Sequence, residues 1–507
     1  MSRAILCAAA LSLAAAGCSS PRVVTTPPPT PAPAAQTAQP APATAAAPAT
    51  YPGDSVPPAL GAPKPLQLPP VVERTLPNGL RILVVEHHEL PLADVALVVR
   101  SGAERDPRNR LGVSGLTAAM LQEGAGKRNA LQIADQEAYL GVDLRTSSGW
   151  DASRITMHAP TAQLDSALAL FADVALRPTF PARELERLRK ERLTTLLQMR
   201  DRPTAIADQA FNYLVFGEEH PYGRPQLGTE TSVAGLKRAD VEAFYRTHYR
   251  PNNATLIVVG DVSPDDVERR ARALFGAWTR GEVPPPTFAD APRPAATTLY
   301  VIDKPGAPQS SLRIGGVGVP RSTDDYFALM VANTILGGSF TSRLMQNLRE
   351  THGYTYGARS GFSMRQVAGP FTASAEVTGG KTDSSVIEFM RELRRIRDTI
   401  PTAELEKAKQ YLQLQLPGQF ETTGDIAAQL VPLTIYGLPL DYYNTYAQRL
   451  SQVTQADVQR VMERYVRPEQ MVVVVVGDRS SIEKGLAATG VGRVEVRDIT
   501  GRKLPTP

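Results

Sequence analysis

Metal or nucleophile chemistry in this chain must come from a small set of side chains. Six histidines occur, at His87, His88, His158, His220, His248 and His352. None is spaced as His-x-x-Glu-His or His-Glu-x-x-His, the arrangements that place two imidazoles one helical turn apart with a carboxylate beside them. His87-His88-Glu89 sets three potential ligands in a row. On a strand, neighbours point to opposite faces, so this run reads as a polar hairpin tip rather than a metal site. Glu218-Glu219-His220-Pro221 reads as a solvated turn. The two cysteines, Cys7 and Cys18, both lie at the extreme N-terminus. That excludes a disulfide framework, and a thiolate zinc site in the body of the protein. Gly337-Gly338 is not followed by the Lys-Ser/Thr of a phosphate loop and reads as a close helix start.

The elements around these residues come next. With 507 residues the chain has room for three or four domains. The 55 basic and 51 acidic residues leave a net charge of +4, too even for an electrostatic nucleic-acid footprint. Residues 1–17 have the layout of a secretory signal: Arg3, a short apolar stretch, then small residues. The stretch Ala4–Ala16 falls short of the roughly 20 residues that span a bilayer. Ala15-Ala16-Gly17-Cys18 resembles a bacterial lipobox, with Ala15 in place of the usual Leu. The resemblance implies cleavage before Cys18, lipid attachment to it and, with Ser19 following, an outer-membrane lipoprotein facing the periplasm. Residues 18–70 are mostly Pro, Ala and Thr, too poor in apolar side chains to fold and held extended by proline. At about 3.1 Å per residue such a tether reaches on the order of 150 Å.

Folding begins near Val71. Thr75–Glu86 reads as a strand end, a Pro-Asn-Gly turn and a second strand, followed by a strand at Val95–Arg100 and a helix from Gly112 onward. An internal repeat organises the rest. Ala239-Asp240-Val241 recurs as Ala456-Asp457-Val458, Arg250-Pro251 as Arg467-Pro468, the strand ending Gly260-Asp261 as that ending Gly477-Asp478, and Pro91 as Pro308. Each pair is 217 positions apart. One constant offset means two homologous halves, 71–285 and 297–507, joined by a Pro-rich linker at 286–296 that is compatible with a hinge or a rigid strap. Amphipathic helices such as Ala182–Arg200 and Pro401–Leu414 are placed to cover one face of a sheet in each half, an α+β architecture. The run Val472–Val476 reads as a buried strand.

The chain resembles the insulinase or pitrilysin-type zinc peptidases, the inverzincin family, over nearly all of 71–507. The resemblance rests on Leu76-Pro77-Asn78-Gly79-Leu80-Arg81, the Ser101–Asp106 turn, the helix after Leu111-Gly112 and, above all, the run Gly337–Glu350. It implies two homologous halves of mixed sheets and helices enclosing a chamber. Active members carry His-x-x-Glu-His on the first helix: the imidazoles bind one zinc ion and the glutamate deprotonates its water. Here the matching positions are Gly115, Ala118 and Ala119, and the matching third-ligand position downstream is Thr195, one turn after Glu191. None of these can replace the family's ligands. The second half keeps its motif. Arg349 and Tyr356 match the arginine and tyrosine, seven residues apart, that reach across the chamber to the substrate in active relatives. Tyr354, two residues from Tyr356, would share its face on a strand.

The resemblance therefore implies a chain that binds no zinc and does not hydrolyse peptides alone. In this family the two sets of residues are also found split between paired subunits. The expected role is the substrate-binding subunit of a heteromeric zinc peptidase, holding unfolded peptides through Arg349, Tyr356 and Tyr354 while a homologous partner carries the zinc. The alternative is a non-enzymatic peptide-binding or scaffold lipoprotein.

Overall fold

A computed structural model of the chain describes residues 68–504. The signal peptide, Cys18 and the tether as far as residue 67 lie outside the described residues.

Alternating apolar residues in the first half build a sheet of six strands: β1 (Val72–Thr75), β2 (Arg81–Glu86), β3 (Leu92–Val99), β4 (Asp143–Ser148), β5 (Ser153–Pro160) and β6 (Ala254–Gly260). Their order is β1-β2-β6-β3-β5-β4, with β6 parallel to β2 and antiparallel to β3. The last strand in sequence thus inserts between β2 and β3. The run His87-His88-Glu89 therefore links strands that are not neighbours, and is not the hairpin tip expected. His88 sits between two carboxylates, Asp261 at 2.7 Å and Glu86 at 3.2 Å. The helices of this half include α1 (Val113–Met120), α2 (Ala182–Met199), α3 (Pro203–Phe216) and α4 (Arg238–His248).

The second half repeats the plan with β7 (Thr298–Asp303), β8 (Gln309–Val317), β9 (Thr355–Phe362), β10 (Pro370–Thr378), β11 (Val472–Gly477) and β12 (Arg493–Arg497). Its sheet order is β9-β10-β8-β11-β7-β12. Its helices include α5 (Tyr326–Asn333), α6 (Thr402–Gln415), α7 (Thr423–Tyr436) and α8 (Gln455–Tyr465). The succession β2-β6-β3-β5-β4 recurs as β7-β11-β8-β10-β9 with the same strand directions. Only the outer strand differs: β1 joins β2 antiparallel, whereas β12 joins β7 parallel.

Period-two alternation gives the central strands two apolar faces, which is why they read as near-continuous valine and isoleucine runs. In the first sheet Ile82, Val84, Val95, Leu97 and Val258 pack among the helices of their own half. Leu83, Val85, Ala96, Val98, Ile257 and Val259 point the other way, into a core shared with Ile426, Leu430 and Val431 of α7. The second sheet mirrors this. Val472, Val474 and Val476 pack against Ile206, Ala210, Phe211 and Val215 of α3. Each half thus lends one helix to the other's sheet. Covering one sheet face with a half's own helices, as the sequence implies, leaves a second apolar face, and the exchanged helix buries it at about 1.5–3 kcal/mol per large side chain.

No helix or strand lies between Phe275 and Thr298. That segment is tied down. Gly281 exchanges hydrogen bonds with the Asn252 side chain at 2.9 and 3.1 Å, and the Phe288 ring lies 5.6 Å from His220 and 5.5 Å from Tyr222. It is a strap. It also corrects the reading of the Glu218–Pro221 turn. The two glutamates are exposed, but His220 is 4% exposed within this aromatic cluster, where burial pushes its pKa down to about 4.

Candidate functional site

The first helix of the first half starts at a position only glycine fits. Gly112 takes φ +87°, and a Cβ there would stand 2.6 Å from the Leu227 carbonyl oxygen. The Asp106 carboxylate accepts from the backbone N–H groups of Gly112 at 2.6 Å and Ser114 at 2.9 Å, satisfying the donor at the cap and one in the first turn. Complete burial pushes the Asp106 pKa up to about 7 despite those bonds.

Along α1 the half-buried positions are Gly115 and Ala119, one turn apart; Ala118 is 1% exposed. α2 packs across this helix and brings the Arg192 guanidinium up to it. Arg192 Nη1 and Nη2 lie 3.4 and 3.6 Å from where a Cβ at position 115 would stand. Thr195 spends its hydroxyl on the Glu191 carbonyl one turn back, at 3.0 Å. The Glu191 carboxylate is 2.8 Å from Arg187.

A zinc ion does not fit these residues. The unpartnered buried polar atoms on α1 are the neutral hydroxyls of Ser114 and Thr117. The charged group against Gly115 is itself a cation. Among the described residues no three His, Cys, Asp or Glu side chains are arranged to hold a metal ion.

The second half diverges at the equivalent helix. α5 continues into a wide turn, Thr334–Gly338, and a second wide helical segment covers Met345–Thr351, both with the i→i+5 spacing that marks local functional or strained geometry. Gly337-Gly338 closes the first of these rather than starting a helix. A Cβ at Gly337 would stand 2.4 Å from Ser360 N, so glycine lets the helix end press against β9.

Arg349 lies in the last turn of the second segment. Its guanidinium carbon is 4.7 Å over the Phe340 ring, and Nε is 3.4 Å from the Glu350 carboxylate. Tyr356 is on β9, an outer strand of its sheet, and is 90% exposed. Arg349 and Tyr356 thus lie either side of one connection, His352–Tyr354. Tyr354 differs from the sequence reading. It precedes β9, is half-buried, stacks on His352 at 4.9 Å, and lies beneath the Lys381 ammonium at 5.8 Å. The alternate-residue argument does not reach it, because the strand starts one residue later and its pairing slips between Thr355 and Ala358.

A polar seam between the halves has no signature in the sequence. Asp151 accepts from the hydroxyl of Tyr222 at 2.6 Å, the backbone N–H of Gln366 at 3.0 Å and the hydroxyl of Tyr436 at 3.3 Å. Beside it the Arg365 guanidinium is held between the rings of Trp150 and Tyr222, at 4.4 and 4.5 Å. The four segments that supply these residues are far apart in the chain, and no local spacing links them.

Comparison with known proteins places these features. Residues 81–223 match the family model "Insulinase (Peptidase family M16)", and residues 235–412 match "Peptidase M16 inactive domain". An uncharacterized zinc protease of Mycobacterium leprae is 27% identical over 342 residues, 67% of this chain and 76% of that protein. A Helicobacter pylori protein named a non-peptidase homolog is 22% identical over 403 residues, 78% of this chain and 92% of its own length. The crystal structure of a peptidase M16 inactive domain from Pseudomonas fluorescens superposes with a TM-score of 0.76 at 29% identity, over 80% of this chain and 98% of that one.

Proposed function

This chain belongs to the insulinase family of M16 peptidases, as a member without its relatives' metal ligands, and from that premise we propose that it is the substrate-holding subunit of a two-chain zinc peptidase. One observation carries the reading. The position that holds metal in active relatives is filled by Gly115, Ala119 and a guanidinium, while the second half presents a partly exposed Arg349 and a 90%-exposed Tyr356.

In this reading hydrolysis belongs to a homologous partner chain that bears the zinc. The Arg349 fork, already backed by the Phe340 ring, orients a peptide carbonyl or carboxylate in two-point contact. The Tyr356 phenol donates a hydrogen bond to the carbonyl oxygen as charge builds there. Tyr354, packed on His352, braces the connection between them. Unfolded peptides are the fitting substrates, because an outer strand pairs with backbone and reads little sequence. A lipid on Cys18 and the Pro-rich segment after it would keep the assembly at the periplasmic face of the outer membrane.

The test mixes the purified chain with a homologue bearing His-x-x-Glu-His and follows cleavage of a quenched fluorescent peptide. Activity that needs both chains, and falls with Arg349→Ala, supports the reading. Stoichiometric zinc and peptidase activity in this chain alone would overturn it. A second reading, a non-enzymatic peptide-binding or scaffold lipoprotein, is favoured by the name of the Helicobacter relative. Peptide binding without cleavage in any pairing would select it.

A further inference from the structure

The two wide-turn segments of the second half wall a cavity of about 530 Å³. Small organic ligands bind in cavities of about 300 to 1,000 Å³. Thr334 and Ile335 come from the first segment, and Gln346, Asn347 and Thr351 from the second. The other walls are the helix Thr382–Arg395 and α6. On α6 the lining residues Glu404, Lys407, Ala408 and Tyr411 recur three and four positions apart, so one face of that helix turns to the cavity. Neither Arg349 nor Tyr356 lines it.

One wall is built on buried carboxylates. Glu392 is 1% exposed and Glu388, one turn before it, is also buried. Asn347 Nδ2 donates to Glu388 Oε2 at 2.9 Å and to Glu392 Oε1 at 2.8 Å. Two acceptors around the amide nitrogen fix which way the amide points. That leaves Asn347 Oδ1 and Glu392 Oε2, both buried and both without a donor among the described residues. Asn347 and Glu392 are bonded to each other and line one cavity, so a single group with several N–H donors can serve both oxygens. A primary ammonium carries three.

The remaining charges narrow the ligand further. Arg343 is held by Glu404 at 2.8 Å, Arg391 by Glu388 at 2.9 Å and Arg395 by Glu392 at 2.9 Å. Lys407 is exposed and has no carboxylate partner among the described residues. Four basic side chains thus line the cavity against two carboxylates, Glu392 and Glu404. A bare amine would add to that excess of positive charge. An ammonium that brings its own carboxylate would not, and Lys407 is there to meet the carboxylate. Tyr411, 36% exposed on the same helix face, offers a ring for an apolar body to cover.

We propose that this cavity binds a free α-amino acid with an apolar or aromatic side chain, its ammonium on Glu392 and Asn347 and its carboxylate on Lys407. The side chain packs on Tyr411. The inference stands apart from the peptide-holding reading, because it uses none of the residues assigned there.

Isothermal titration calorimetry on the purified full-length chain tests it. The probes are L-phenylalanine, N-acetyl-L-phenylalanine, which lacks the ammonium, and phenethylamine, which lacks the carboxylate. L-Phenylalanine is expected to bind about tenfold or more tightly than either, the usual worth of one charge-assisted bond. Glu392→Gln should weaken L-phenylalanine by a similar factor. Lys407→Ala should erase the preference for L-phenylalanine over phenethylamine.

Equal affinity for L-phenylalanine and either analogue overturns the inference, as does binding of none of the three. A preference over phenethylamine that survives Lys407→Ala overturns it too, as does an affinity unchanged by Glu392→Gln. Lys407 is exposed, so its variant and the three-probe comparison on the unaltered chain stay decisive whether or not Glu392→Gln folds.

Discussion

The two halves of this protein share a strand order and differ in what their first helices offer. In the first half α1 is a short regular helix whose half-buried positions are Gly115 and Ala119. In the second, α5 runs into two wide-turn segments, and the later one carries Arg349 toward the connection that leads to Tyr356. Beneath them, five of the six strands in each sheet agree in order and direction. The difference teaches that the framework depends on alternate-residue burial, which constrains the strands, while the helix faces above them are free to gain or lose chemistry.

The largest test of that separation removes the shared framework. Phe211→Ala on α3 and Leu430→Ala on α7 each truncate a helix lent to the other half's sheet, and each should cost about 2–5 kcal/mol. If the exchange locks the halves together, calorimetry shows a single transition lowered by either change. Two resolved transitions would show that the halves melt independently.

Next come the exposed groups of the second half. Tyr356→Phe should cut partner-supported cleavage by about a hundredfold, the usual effect of losing one donor to a developing oxyanion. Because Tyr356 is 90% exposed, the melting temperature should not move. A parallel fall in melting temperature would instead make it a structural residue.

The seam supplies a smaller, pH-dependent test. His220 is buried and neutral, with a pKa near 4 when folded and near 6.5 when unfolded. The unfolded state therefore binds the proton first as pH drops. Stability linked to His220 is complete above about 6.5 and is lost progressively as pH falls toward 4. His220→Asn keeps an acceptor for the Tyr222 N–H, which His220 Nδ1 meets at 3.0 Å, and should flatten this fall in urea titrations between pH 7 and 4. An unchanged slope would place the acid sensitivity elsewhere.

The smallest effect is expected at Glu350. Its 3.4 Å pairing with Arg349 joins two partly exposed groups, so Glu350→Ala should change stability by less than about 0.5 kcal/mol. Retained cleavage in this variant, beside lost cleavage in Arg349→Ala, would show that Arg349 serves something other than its neighbour.

Sequence reading reached the framework almost completely, for a physical reason. The strand at Val472–Gly477 and the helices Ala182–Met199 and Thr402–Gln415 announce themselves through local period and composition. The loss of His-x-x-Glu-His at Gly115, Ala118 and Ala119 is equally local, because a zinc motif on one helix turn must be written in adjacent letters. The alternation from Tyr354 to Tyr356 is interrupted by a slip in strand pairing, which is set by the partner strand. His220 was misread because the residues that bury it, Phe216, Tyr222 and Phe288, include one from the strap between the halves.

The amino-acid order by itself determined that this protein is a duplicated α+β chain whose first core helix is without His-x-x-Glu-His, since period, repeat and motif all act within a few residues of one another. Only the tertiary structure decided that α3 and α7 are exchanged, that Asp151 and Arg365 stitch the seam, and that Arg192 stands against Gly115. Those contacts join segments from about 70 to nearly 350 positions apart, and burial of a second sheet face or pairing of a distant charge is felt only after the chain has closed on itself.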